Sequence, residues 1–150
     1  MAILQTATTS FKVELFQAVH NFGPTSPNTF KIALYTASAN LGQGTTSYTG
    51  TTNEVVGTGY TAGGNTLVIN PSPSSGALPS GVYVAYISFD NTSWANATFT
   101  ARGALIYNNS LAGKNSVAVL DFGADKTVSN DTFQINFPSA GASSAIVRIS

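Results

Sequence analysis

Residues 52–65 read TNEVVGTGYTAGGN, with glycines at 57, 59, 63 and 64. Gly57, Gly59 and Ala62 stand at the spacing of a dinucleotide-binding loop. The reading of this stretch therefore decides between a nucleotide-binding α/β fold and a β protein. A phosphate cradle needs a strand before the glycines and a helix starting on them, so that amides and the helix dipole meet the anion. TNEVV reads as a short strand, but Gly63-Gly64-Asn65 leads into the β-branched NTLVIN and then Pro71 and Pro73. No helix starts there, and no Lys-Ser or Lys-Thr pair completes a P-loop. The glycines are expected to supply positive φ or close packing in a bent ribbon.

Working outward, the chain reads mostly as strand and turn. TFKIALYT (29–36) alternates Phe30, Ile32 and Leu34 against Lys31, Ala33 and Tyr35. Further strands are expected at 65–70, 81–90, 97–107, 116–123, 131–138 and 145–150. The clusters NNSLAGKN, GADKTVSND and PSAGASS separate the later ones as turns. Residues 37–64 form a long loop, and a loop of that length is usually functional or pinned by a partner. The one helix expected spans 10–22, capped by Ser10 and stopped by Gly23-Pro24, with Phe11, Leu15, Ala18 and Phe22 on its apolar side and Phe16 and Val19 close by. This pattern predicts a mainly β fold, an antiparallel β-sandwich or jelly-roll-like domain over 10–150 with one short N-terminal helix. Residues 1–9 are expected as an arm, unpaired alone and ordered on a neighbour.

Composition narrows the function. Six basic and six acidic side chains give no net charge, and 8% of residues are charged. Thr (19), Ser (17) and Asn (13) supply the polarity. Scattered Lys12, Lys31, Arg102, Lys114, Lys126 and Arg148 argue against nucleic acid, which needs clustered cations. The absence of cysteine excludes disulfides and thiolate metal sites. No apolar stretch approaches the roughly 18 residues of a membrane span, and MAILQTATTS has no signal-peptide pattern. A soluble chain made in a cytoplasm is expected, with a surface partly covered by neighbours.

Candidate chemistry is sparse. His20 is the single histidine, near the helix end, where capping or packing is expected rather than catalysis. Asp121-Phe122-Gly123 matches a kinase tripeptide by letters only, and turn roles suit Asp90, Asp125 and Asp131. The four Asn-x-Ser/Thr sequons, at Asn91, Asn96, Asn108 and Asn130, are about what this composition yields. Glu54 is the only acid between residues 15 and 89. It is expected to make a structural hydrogen bond, to backbone amides or to Arg102, with a subunit contact as the functional competitor. Tyr48 and Trp94 are expected in Thr/Ser/Asn-rich loops, where they read as interface anchors or, in a carbohydrate-binding sandwich, as platforms for sugar rings.

The segment TFKIALYTASANLGQGTTSYTGTTNEVVGTGYTAGG, together with ATFTARGALIYN, VAVLDFG and the preceding FKVELFQAVHNF, resembles small structural proteins of tailed bacteriophages. The likeness covers most of residues 10–123. It resembles most the head decoration, or cement, proteins. The resemblance implies a β-sandwich bound outside the capsid shell in the virion, with the major capsid protein and copies of itself (dimer or trimer) as partners, and no cofactor, metal or catalytic residue. Contacts are then expected at Ile3 and Leu4 of the arm, at Tyr48, Glu54 and Tyr60 of the loop, and at Trp94. A tail, adaptor or fibre-associated role is the structural alternative.

Overall fold

The segment Phe30–Tyr35 (β2) is nearly all buried because both of its faces are covered. In the computed structural model, which describes residues 2–150, β2 lies inside a five-stranded antiparallel sheet of order β1-β7-β6-β2-β3. The other strands of this sheet are Thr6–Ala7 (β1), Asn65–Leu67 (β3), Thr92–Asn108 (β6) and Ser116–Ile135 (β7), and β2 pairs with β3 and β6. A second, three-stranded sheet joins Ser74–Ala77 (β4), Tyr83–Ile87 (β5) and Val147–Ile149 (β8) in the order β4-β5-β8. A single helix, Thr9–Phe16 (α1), accompanies it. The chain is thus a mainly β, antiparallel sandwich with one short helix, as its strand-and-turn pattern predicts.

Period-two alternation sorts the core into two parts. Phe30, Ile32 and Leu34 join Phe11, Ile87, Ile106, Val147 and Trp94 in the layer between the sheets. On the opposite face, Ala33 and Tyr35 pack with Leu105, Tyr107 and Val119 beneath Ile3, Ala39 and Leu41. The 36–64 loop is therefore a third layer, lying on the back of the large sheet.

Three expectations need correction. The strands expected at 116–123 and 131–138 are one strand, β7, paired along β6 from Tyr107↔Ser116 to Thr92↔Ile135. The intervening GADKTVSND is absorbed by register shifts, with Gly123 (φ 75°) and Asn130 (φ 49°) in left-handed conformation. Turn-forming residues made bulges here because a partner strand was available to hold them. The helix ends at Phe16, six residues early. Ala18 takes φ 56°, with Ala18 N–H donating to the Leu15 carbonyl and Val19 N–H to that of Glu14, a Schellman-type stop. Its N-cap is Thr8, not Ser10, and Phe16 is 94% exposed rather than packed. The arm is also paired within its own chain. Thr6 and Ala7 pair with Val119 and Ala118, and Ile3 bridges Leu41. Met1 lies outside the described residues.

The glycine-rich stretch is an excursion from the free edge of β2. Glu54 pairs with Tyr35 and Asn65 pairs with Ile32, so the edge strand leaves β2 after Val55 and returns at β3. No helix follows it. A Cβ on Gly64 would run into the Ile32 carbonyl, and one on Gly57 into that of Thr98. Gly59 (φ 78°) would meet three backbone atoms of residues 95–97 at 2.9 Å. The glycines let backbone approach backbone. Gly64→Ala should lower stability by about 3 kcal/mol or more through clash and positive φ. Gly44→Ala, where a Cβ meets nothing within 4 Å, should stay within about 0.5 kcal/mol. Urea unfolding of the two variants measures both.

Candidate functional site

Glu54 closes the base of the excursion. Its side chain is buried, yet no cation lies within 4 Å among the described residues. Neutral donors hold it instead. Tyr60 Oη donates to Oε1 at 2.6 Å, Gly63 N–H to Oε1 at 2.7 Å, and Tyr48 Oη to Oε2 at 2.8 Å. Three directed bonds offset much of the cost of burying a carboxylate. The expected bond to a backbone amide is present at Gly63. Arg102 is not the partner; its Nε pairs with Asp121 Oδ1 at 3.3 Å.

Each donor is tied to the sheet. Tyr60 Oη also accepts the N–H of Leu34 at 2.9 Å, replacing the edge-strand carbonyl that the excursion removes. Tyr48 stacks on Tyr107 with ring centroids 4.5 Å apart, and Tyr107 Oη donates to the Gly63 carbonyl at 2.8 Å. Lys114 Nζ lies 5.1 Å from the Tyr48 ring centroid, within cation–π range. Tyr35 Oη donates to the Thr49 carbonyl. Burial, and then the Glu54 charge, push the Tyr107 phenol up to about 12. Tyr35, Tyr48 and Tyr60 are raised further, by burial first.

A second buried polar group sits under α1. His20 Nε2 lies 2.6 Å from Glu14 Oε2, and Asn115 Nδ2 donates to Glu14 Oε1. Ser110 N–H donates to Asn108 Oδ1, which fixes the amide so that its Nδ2 donates to His20 Nδ1 and to Asn28 Oδ1. His20 is therefore the Nε2–H tautomer, and both ring nitrogens are occupied. The packing role expected of it is what the structure shows, with Glu14 of α1 and Asn108 of β6 as its partners.

The residues singled out from sequence are brought together unevenly. Tyr48, Glu54 and Tyr60 form one network, and Trp94 stands beside it, 6.1 Å from the Tyr60 ring. Trp94 is not in a loop as expected but in strand β6, paired with Phe133, and it is 4% exposed, so its indole is not a platform for a sugar. Ile3 is buried on Leu41, whereas Leu4 is 62% exposed. Sequence reading missed Tyr107, Gly63 and Asn108 as network members. No local signal marks Tyr107 and Asn108, because their bonds to Gly63 and His20 span 44 and 88 residues of chain. Among the described residues no three His, Asp or Glu side chains gather as for a metal ion.

Compared with family models, curated proteins and solved structures, the chain matches none. Its class rests on the fold: an antiparallel β-sandwich whose back layer is stapled by a buried carboxylate.

Glu54→Ala should cost about 3 kcal/mol in urea unfolding, because three donors lose their acceptor, while Glu54→Gln keeps one acceptor oxygen and should cost about half that. Alkali supplies a second test. Because these phenols ionise at higher pH folded than unfolded, their contribution is complete below the ordinary value of 10.0 and is lost as pH rises above it. Absorbance near 295 nm should show their ionisation together with loss of far-UV circular dichroism, not before it.

Proposed function

We propose that the chain is a non-enzymatic structural component of a tailed-phage head, a decoration protein that binds the outside of the capsid shell and contacts the major capsid protein and further copies of itself. The observation that carries this reading is apolar surface left uncovered on a protein with few charges. Phe16 and Val56 are each 94% exposed, and Leu4, Val68, Tyr83 and Ile149 are exposed as well. Between α1 and the small sheet runs an apolar slot of about 490 Å³, floored by Phe11, Leu15, Phe22, Ile87, Val147 and Ile149. Apolar surface of this kind usually marks a protein contact. The resemblance of residues 10–123 to phage head proteins names the partner class, and the slot between α1 and the small sheet is the seat assigned to an apolar segment of the shell protein.

The buried staple supports the same reading. A shell-binding subunit works through many repeated contacts, and such contacts are strengthened by loops ordered before binding. Glu54 and its tyrosines hold the 36–64 layer in place without a partner.

The test is the copy number of this chain against the major capsid protein in purified particles. A ratio fixed by the shell's local symmetry supports decoration. A few copies per particle moves the chain to the tail or an adaptor, and absence from the particle overturns a virion role. Phe16→Asp should reduce occupancy on the shell at least tenfold while leaving the unfolding midpoint within about 0.5 kcal/mol of the parent, as expected for an exposed position.

A further inference from the structure

A polar pocket that shares no lining residue with the Glu54 network lies where residues 68–70 cross 88–90. Ile69 bridges Phe89, Asn70 N–H donates to the Ser88 carbonyl at 3.0 Å, and Asp90 N–H donates to that of Val68 at 2.9 Å. The 137–140 segment closes the third side, leaving a pocket of about 240 Å³. That is smaller than the roughly 300–1,000 Å³ of sites for drug-sized ligands, and suits one small ring.

Its polar groups are oriented before any ligand arrives. Asn70 Nδ2 donates to Asp90 Oδ1 at 2.6 Å. This leaves Asp90 Oδ2 and Asn70 Oδ1 as acceptors without a partner among the described residues. Phe137 N–H donates to Asn91 Oδ1 at 2.8 Å, which turns Asn91 Nδ2 out as a free donor. Ser88, 1% exposed, lines the floor, and its Oγ, closed off from solvent, has no hydrogen-bond partner among the described residues. A buried hydroxyl left alone is unusual and calls for a water or a ligand group. The half-buried Phe137 ring, packed on Phe89 at 6.0 Å, adds an apolar wall.

Fixed acceptors, one fixed donor and an aromatic wall match a molecule whose hydroxyls both donate and accept and whose ring also has an apolar C–H face. Asp90 repels anions, which disfavours phosphates and acidic sugars. From this constellation we infer that the Asn70–Asp90–Asn91–Phe137 pocket binds a single neutral pyranose, a terminal sugar of a glycan, directly and without a metal ion. The pocket is separate from the slot assigned to the shell protein, so the inference does not depend on where the chain sits in a particle.

The experiment is saturation-transfer NMR on the full chain with neutral methyl pyranosides of the gluco, galacto, manno and N-acetylgluco series at millimolar concentration, with and without EDTA. At least one should bind saturably, and Asp90→Ala and Asn91→Ala, both at exposed positions, should each weaken it at least tenfold with the circular dichroism unchanged. Tyr48→Phe, on the other network, should leave binding intact and marks the location. The inference is overturned if no glycoside saturates, if binding survives both pocket variants, or if EDTA abolishes it. Binding lost equally in Tyr48→Phe would also overturn it, since the sugar would then sit elsewhere.

Discussion

A buried carboxylate with no cation within 4 Å among the described residues organises the back of this protein. Desolvating Glu54 is unfavourable, and the structure offsets that cost with three donors drawn from residues 48, 60 and 63. Those donors hold down a loop that would otherwise leave one face of the large sheet in water. Ala33, Tyr35, Leu105, Tyr107 and Val119 are covered only because the 36–64 layer and Ile3 lie over them. The glycines serve the same end, since the excursion closes on Glu54 only if its backbone presses against Ile32 and Thr98.

The front of the sheet is built by the other means open to a chain with few charges. Aromatic rings fill the space between the sheets: Phe22 stacks on Phe30 at 4.2 Å, and Trp94, Phe99 and Phe133 pack as tilted and edge-on pairs. His20 and Asn108 belong to this layer as satisfied polar members rather than as reagents. Their bonds to Glu14, Asn28 and Ser110 use every ring nitrogen and three of the amide's bonding positions. The same arrangement explains the short helix. The chain must reverse at Ala18 for His20 to reach both Glu14 and Asn108, so tertiary bonding overrides a helical pattern that continues to Phe22.

Polarity from Ser, Thr and Asn in place of charge has a further consequence. Such side chains bond locally, to turns, caps and bulges, and leave the exterior with little repulsion between copies. Exposed Phe16 and Val56 on that exterior are what a protein that functions in contact with others would carry.

The alternation in TFKIALYT, the punctuation by Gly, Pro and Asn, and the failure of any helix to follow the glycines were enough to determine a mainly β antiparallel fold. They also made Glu54 conspicuous, as an isolated acid beside a glycine-rich bend. Period and turn chemistry are local, so they survive in a single sequence. The merging of 116–123 and 131–138 into one strand was not legible, because Gly123 and Asn130 carry the same signals in a bulge as in a turn, and only the presence of β6 alongside decides. Nor were the tyrosine partners of Glu54, the partners of His20, or the burial of Trp94. Tyr107 and Asn108 reach these networks through strand register, which depends on the whole pattern of side chains that must be buried together. Element types came from local spacing; the network and the pocket came from where the folded sheet placed distant residues.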